Sequence, residues 1–265
     1  MVSILVAYNP LASSWAKFNW AQQHLQALDR AFQRSFDPDT HPVSVKVEVQ
    51  VTGNTAVAEV RVATVPLVRD DCGLTLGDVL QNFRAALDHL AWDLVKIGAT
   101  PKPAYPQGIY FPMAPSFRKF SNGLNTKLPG VPQSHRAVVR RYQPYRRGNG
   151  PKAMRRLRDL SDHDKHRVVV PVTRNVSPDL NLAVQSNWTV TDLRYLVRRP
   201  TRLKVNTPVM HIELSRPTGA AANCEVGVNG QFPVYPALPD GAPPSALMDM
   251  RNTVLEILTE FDTII

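Results

Sequence analysis

The sequence predicts an α+β fold, and three observations carry that expectation. Apolar residues recur at helical spacing in two long stretches, near 13–36 and 76–97. A run of valines alternates with polar residues between them. After Arg167 the chain breaks into short strand-like runs that end in a last helical stretch. The 265 residues suffice for one large domain, with a possible subdivision into a mainly helical part with a hairpin, 1–166, and a mainly β part with a terminal helix, 167–265.

Each element has its own local reason. Trp15, Phe18, Ala21, Leu25, Leu28, Phe32 and Phe36 share one helical face, and Ser13 or Ser14 can cap the helix that carries them. Val43, Val45, Val47, Val49 and Val51 alternate with Ser44, Lys46, Glu48 and Gln50, the pattern of a half-buried strand. Thr52-Gly53-Asn54-Thr55 supplies a tight turn, so Ala56 to Val65 reads as the returning strand of a hairpin. The second long helix presents Leu76, Val79, Leu80, Phe83, Leu87, Leu90, Leu94 and Ile97, with Thr75 as its expected cap. Pro101, Pro103, Pro106, Pro112, Pro115 and Pro129 then make 101–132 a loop-rich segment, from which Ile109-Tyr110-Phe111-Pro112 docks on the core. Short helices are expected at 132–142 and 151–160, each with proline near its first turn. Strands are expected at about 167–173, 180–190, 208–215 and 223–228, and a final helix at 246–261.

Composition narrows the function classes. Two separated cysteines, Cys72 and Cys224, exclude a disulfide scaffold and a zinc ribbon, and they suggest a reducing, cytoplasmic setting. The first residues lack the basic start and uninterrupted apolar run of a signal peptide, and no stretch has the length of a membrane span. The net charge is +9, and it is concentrated: His135 to Arg167 holds eleven Lys or Arg residues against three acids. No phosphate-binding GxxxxGK[ST] loop, HExxH helix or GxSxG elbow is present, which removes support from the common nucleotide hydrolases, zinc peptidases and serine hydrolases.

Three constellations could carry chemistry. On the second long helix, Asn82 and His89 share one face, while Arg84 and Asp88 form an i,i+4 pair on an adjoining one. An arginine that holds a phosphate and a histidine that relays protons near neutral pH could together cleave a phosphodiester with neither metal nor cofactor. The plainer alternative is a helix salt bridge beside a packed histidine. Second, Asp162, His163, Asp164 and His166 crowd the end of a basic helix, where Asp162 and His166 have a spacing that a divalent metal can use. A helix C-terminus whose cations offset the dipole fits the same residues. Third, Arg140, Arg141, Arg146, Arg147, Arg155, Arg156, Lys165, His166 and Arg167 interleave with Tyr142 and Tyr145. Guanidinium groups suit phosphates and tyrosine rings suit unpaired bases, so RNA is the expected partner ahead of DNA, and a solvated basic face is the alternative.

The segment Gly77-Asp78 to Trp92, followed by Phe111-Pro112, Gln143-Pro144-Tyr145 and Asp164-Lys165-His166-Arg167, resembles a family of uncharacterised bacterial and phage proteins with a GDxLxNxRxALDHL, FP, QPY and DKHR signature. The resemblance covers about residues 75–171 closely. The Arg84 to His89 spacing is also similar to the R-x4-6-H motif of HEPN-type ribonucleases, helical proteins that often dimerise to pair these residues, although Ala85 stands where their commonest form has a polar residue. That resemblance implies a metal-independent endoribonuclease in which His89 transfers protons, Arg84 stabilises phosphate, and Asn82 and Asp88 orient them, with a homodimer as one possible assembly. Two other expectations stand beside it: a non-catalytic nucleic-acid-binding protein, and a metal-dependent enzyme built on Asp162, His163, Asp164 and His166.

Overall fold

The computed structural model describes residues 9–37, 39–40, 42–98, 106–166, 171–177, 180–231 and 233–265, the side chains of 106, 164–166, 181 and 231 excepted. It is an α+β protein. Six helices, α1 (Ala12–Phe36), α2 (Asp70–Gly98), α3 (Phe117–Lys127), α4 (Gln133–Arg141), α5 (Asn149–His166) and α6 (Ser245–Ile264), accompany nine strands among the described residues. The strands are β1 (Ser44–Thr52), β2 (Thr55–Thr64), β3 (Thr173–Val176), β4 (Asn181–Ser186), β5 (Thr189–Tyr195), β6 (Thr201–Arg202), β7 (Pro208–Ser215), β8 (Val226–Gln231) and β9 (Val234–Ala237).

The chain forms two compact units, each assembled from separated segments. The helical unit draws on the described residues of 1–29, 73–170 and 244–265, and the β unit on those of 30–72 and 171–243. This grouping differs from a cut at 166/167. The hairpin joins the later strands because β2 pairs along β7, and the terminal helix joins the other helices because α6 packs on α5.

The helical unit is held by the apolar faces that the sequence displays. Phe18 of α1 and Phe83 of α2 are fully buried with ring centroids 6.0 Å apart, and Leu157 of α5 and Leu258 and Phe261 of α6 are buried as well. A buried carboxylate clasps α1 to α2: Asp93 lies 2.5 Å from Lys96 Nζ and accepts from the Ser13 and Ser14 hydroxyls at 3.3 and 3.5 Å. A charge removed from water needs such partners. The two serines therefore serve Asp93 instead of capping their own helix, and the chain enters α1 through Asn9, whose side-chain oxygen accepts from the Leu11 amide at 2.7 Å.

In the β unit, every strand pairing among the described residues is antiparallel, in sheets ordered β1-β2-β7-β5, β6-β3-β9 and β4-β8. The predicted hairpin forms in register, with Thr52 opposite Thr55 and Gly53 at φ 63°, the first central position of a two-residue turn that favours glycine. Ala56, Ala58, Val60 and Val62 of β2 face a core shared with Met210, Ile212 and Leu214 of β7 and with Trp188. Arg174 of β3 donates to the Ser35 carbonyl in the last turn of α1 and stacks over Phe36 at 4.4 Å, a cation placed where the helix dipole favours one.

Several boundaries move. The second long helix begins at Asp70, not at Thr75, because Asp70 and Asp71 complement its first turn and Cys72 extends the buried face. The loop-rich segment contains α3, which occupies the proline-free interval between Pro115 and Pro129 and starts at Ser116, a cap whose hydroxyl accepts from the Lys119 amide. The helix expected at 151–160 extends from Asn149 to His166. The strand expected at 180–190 is two: Asn187 turns the chain by accepting from the Glu225 amide and donating to the Asn223 carbonyl, so β4 pairs with β8 and β5 with β7. Of the strand expected at 167–173, residues 167–170 lie outside the described residues, and β3 starts at Thr173.

Candidate nucleic-acid interface

The signature residues of α2 act first on the loop beside them. The Asp88 carboxylate accepts from the Phe111 amide at 3.0 Å, and Arg84 donates from Nη1 to the Met113 sulfur at 3.2 Å. From the other side, the fully buried Gln143 amide accepts from the Ala114 amide at 3.0 Å and donates to the carbonyls of Pro112 and Val139 at 2.7 and 3.1 Å. Phe111, Pro112, Met113 and Ala114 are thereby fixed between α2 and the end of α4. A segment with two prolines nearby cannot satisfy its backbone in a helix or sheet, so side chains supply the partners.

Arg84 is only 12% exposed and is engaged: Nε lies 3.6 Å from Asp88 and Nη1 4.0 Å from Asp162. The first and second constellations therefore meet, since Asp162 of α5 approaches Arg84 of α2 and Gln81 donates to the Ser161 carbonyl at 3.1 Å. Asn82 turns back on its own helix, donating to the Asp78 carbonyl at 2.8 Å. His89 is half-buried and makes no hydrogen bond or ion pair among the described residues. On a regular helix it projects about 140° away from Arg84. Of the metal-site alternative, Asp162 is exposed and His163 half-buried, while the side chains of Asp164 and His166 lie outside the described residues. No group of three metal-capable side chains occurs among the described ones.

The basic window separates into two populations. One is built into the fold. Arg155 donates from Nε and Nη2 to the Pro144 carbonyl at 3.1 and 2.6 Å, which holds the α4–α5 connection. Arg136 donates to the Leu128 carbonyl and to Asn125, both at 2.8 Å, Arg141 pairs with Glu260 at 3.1 Å, and Arg158 with Asp159 at 2.6 Å. Arg156 is half-buried on α5 and has a partner of its own. The tyrosines are packed as well. Tyr142 donates to Glu260 at 3.3 Å, and burial followed by the neighbouring Glu260 and Glu256 carboxylates pushes its hydroxyl above the ordinary value of 10.0. Tyr145 has a buried hydroxyl and sits edge-on to Phe117 and tilted against Phe120.

The second population is free of carboxylates. Arg140, Arg146, Arg147 and Lys152 are exposed at the corner where α4 passes into α5, and none has an acidic partner among the described residues. The side chains of Lys165 and His166, in the last turn of α5, and the whole of Arg167 lie outside what the structure describes. The sequence reading missed Phe117, which is 52% exposed and lies 4.8 Å beneath the Arg140 guanidinium. The Ser116 cap ahead of a proline-free stretch was the signal available for finding it.

No protein-family model, curated protein sequence or solved structure matches this chain.

Proposed function

We propose that this protein binds nucleic acid, RNA in particular, through the exposed cations at the α4–α5 corner. The observation that carries the reading is the sorting just described. Arg140, Arg146, Arg147 and Lys152 stay uncompensated where neighbouring arginines are consumed by carbonyls and carboxylates. Keeping like charges together without counterions costs free energy, and a polyanion that releases its own counterions on contact offsets that cost. A cytoplasmic setting agrees with two cysteines that stay free, and no described helix is long and apolar enough to cross a membrane.

The test is titration of a labelled single-stranded RNA at several salt concentrations, with wild type and with Arg146→Ala/Arg147→Ala. The expectation is binding that weakens steeply with salt, and a double variant that binds about tenfold or more weaker with a shallower salt slope. Wild type that shows no salt-sensitive binding overturns the reading.

A second proposal, the metal-independent endoribonuclease implied by the HEPN resemblance, rests on the half-buried His89 and its want of a hydrogen-bonding partner among the described residues. Because Arg84 is held by Asp88 and Asp162, that chemistry requires His89 to meet a phosphate-holding arginine of a second copy. Incubation of the same RNAs with wild type and His89→Ala in the presence of chelator decides it. Cleavage lost only in the variant supports it, and intact RNA in both rules it out. Cleavage by wild type that chelator abolishes would instead favour the Asp162, His163, Asp164 and His166 cluster.

A further inference from the structure

Between α3 and α4 runs a groove of about 200 Å³ that shares Arg140 with the cations on which the binding reading was built. Phe117, Phe120 and Leu124 give it an apolar wall, while Gln133, Arg136 and Arg140 bring polar groups to its edge. Phe117 is the unusual member. A phenylalanine in the first turn of a helix, 52% exposed, is left in water instead of being turned into the core as Phe120 is. Its ring is braced edge-on by Tyr145, and one face carries the Arg140 guanidinium. Arg140 is itself exposed, so the pair presents a guanidinium over an aromatic ring to solvent.

We propose that this groove is a subsite for one unstacked base of a single-stranded nucleic acid, received on the Phe117–Arg140 stack. The proposal rests on the binding reading above. A base has two apolar faces and a polar rim. It therefore suits a groove with an aromatic and guanidinium platform, an apolar wall and hydrogen-bonding groups at the edge. The charge is complementary as well: Arg140 is shared between the groove and the uncompensated cations of the α4–α5 corner, and Tyr145, the chain neighbour of Arg146, has its ring 6.2 Å from that of Phe117, so the cations adjoin the groove. A paired base cannot enter, since both of its faces are already stacked in the duplex. The groove thus selects single strands, whereas the cations alone bind either form.

The experiment compares a single-stranded oligoribonucleotide carrying 2-aminopurine with a duplex of equal length, using wild type, Phe117→Ala and Arg146→Ala/Arg147→Ala. Phe117 is half-exposed, so its truncation leaves the core intact, and thermal melting verifies this. The expected result is a fluorescence change with the single strand that is lost in Phe117→Ala, an affinity loss of about tenfold in that variant for the single strand, and none for the duplex. The double variant weakens both probes. Phe117→Ala that binds the single strand as wild type does, with the fluorescence change preserved, overturns the base subsite while the binding reading stands. Wild type that binds neither probe overturns both.

Discussion

A buried amide such as that of Gln143 is costly to leave unpaired, because each of its polar atoms gives up water when the chain folds. Its three hydrogen bonds to Ala114, Pro112 and Val139 tie residues 112–114 to the end of α4. Gln143→Leu is expected to cost about 3 kcal/mol, read as a lower urea midpoint at unchanged m, since it removes the bonds and strands backbone groups. Tyr142 sets a pH dependence. Its ionisation is raised in the folded chain above the ordinary 10.0, so the folded protein keeps a proton that the unfolded chain has released. Stability from this source is present below about pH 10 and disappears as pH rises through the folded-state value. Tyr142→Phe should therefore show a shallower alkaline fall in stability than wild type, and parallel curves would refute the assignment. Cys72, pushed up chiefly by burial, acts in the same direction from its ordinary 9.0. At the residue scale the signature motif was visible in the sequence, but its role was not. Asp88 reads as a catalytic candidate and Gln143 as one letter of the QPY signature, and only the placement of Phe111 and Ala114 shows them holding a loop.

The elements illustrate how one residue type acts in opposite ways. Gly98 closes α2, and a Cβ built there would lie 2.7 Å from the Gly130 carbonyl oxygen and 3.2 Å from Pro132 Cδ. Gly98→Ala must displace backbone and should destabilise by about 1–3 kcal/mol. Gly123 lies inside α3, where an added Cβ would meet only the flexible Lys127 side chain, at 3.4 Å. Gly123→Ala is expected to stabilise by about 0.5–1 kcal/mol, since alanine loses less backbone freedom on entering a helix. Thermal melts of the two variants should shift in opposite directions. The long helices and the hairpin were legible because their periodicity is local: the valines of β1 alternate whatever lies beneath them. The splitting of the 180–190 strand was not, because Asn187 turns the chain by bonding Asn223 and Glu225, more than thirty residues away.

At the scale of the whole molecule, the net charge of +9 is less informative than the division of labour within it. Arginines that cap carbonyls behave as structural groups, and those at the α4–α5 corner as surface. Arg155→Ala should lower stability by about 1–2 kcal/mol, because it frees the Pro144 carbonyl from a two-point contact. Arg146→Ala/Arg147→Ala should leave the melting temperature nearly unchanged, within about 0.5 kcal/mol. A fall of equal size in both variants would show that the corner is also needed for folding. The assembly of each unit from separated segments follows the same logic, since strands and helices collect with partners that can pair with or bury them, whatever their order in the chain.

The α+β class, the two long amphipathic helices, the in-register hairpin, the terminal helix and the concentration of positive charge were all legible in the residues alone, because each is written in nearest-neighbour spacing or in composition. Which cations remain free and which carbonyls claim the others, the meeting of Arg84 with Asp162, the packing of two tyrosines but not of Phe117, and the pairing of the hairpin with β7 all emerge only in the folded chain. The physical reason is common to all of these. A side chain's availability depends on which distant backbone groups have lost their water and need a partner, and that is fixed only when the chain closes on itself.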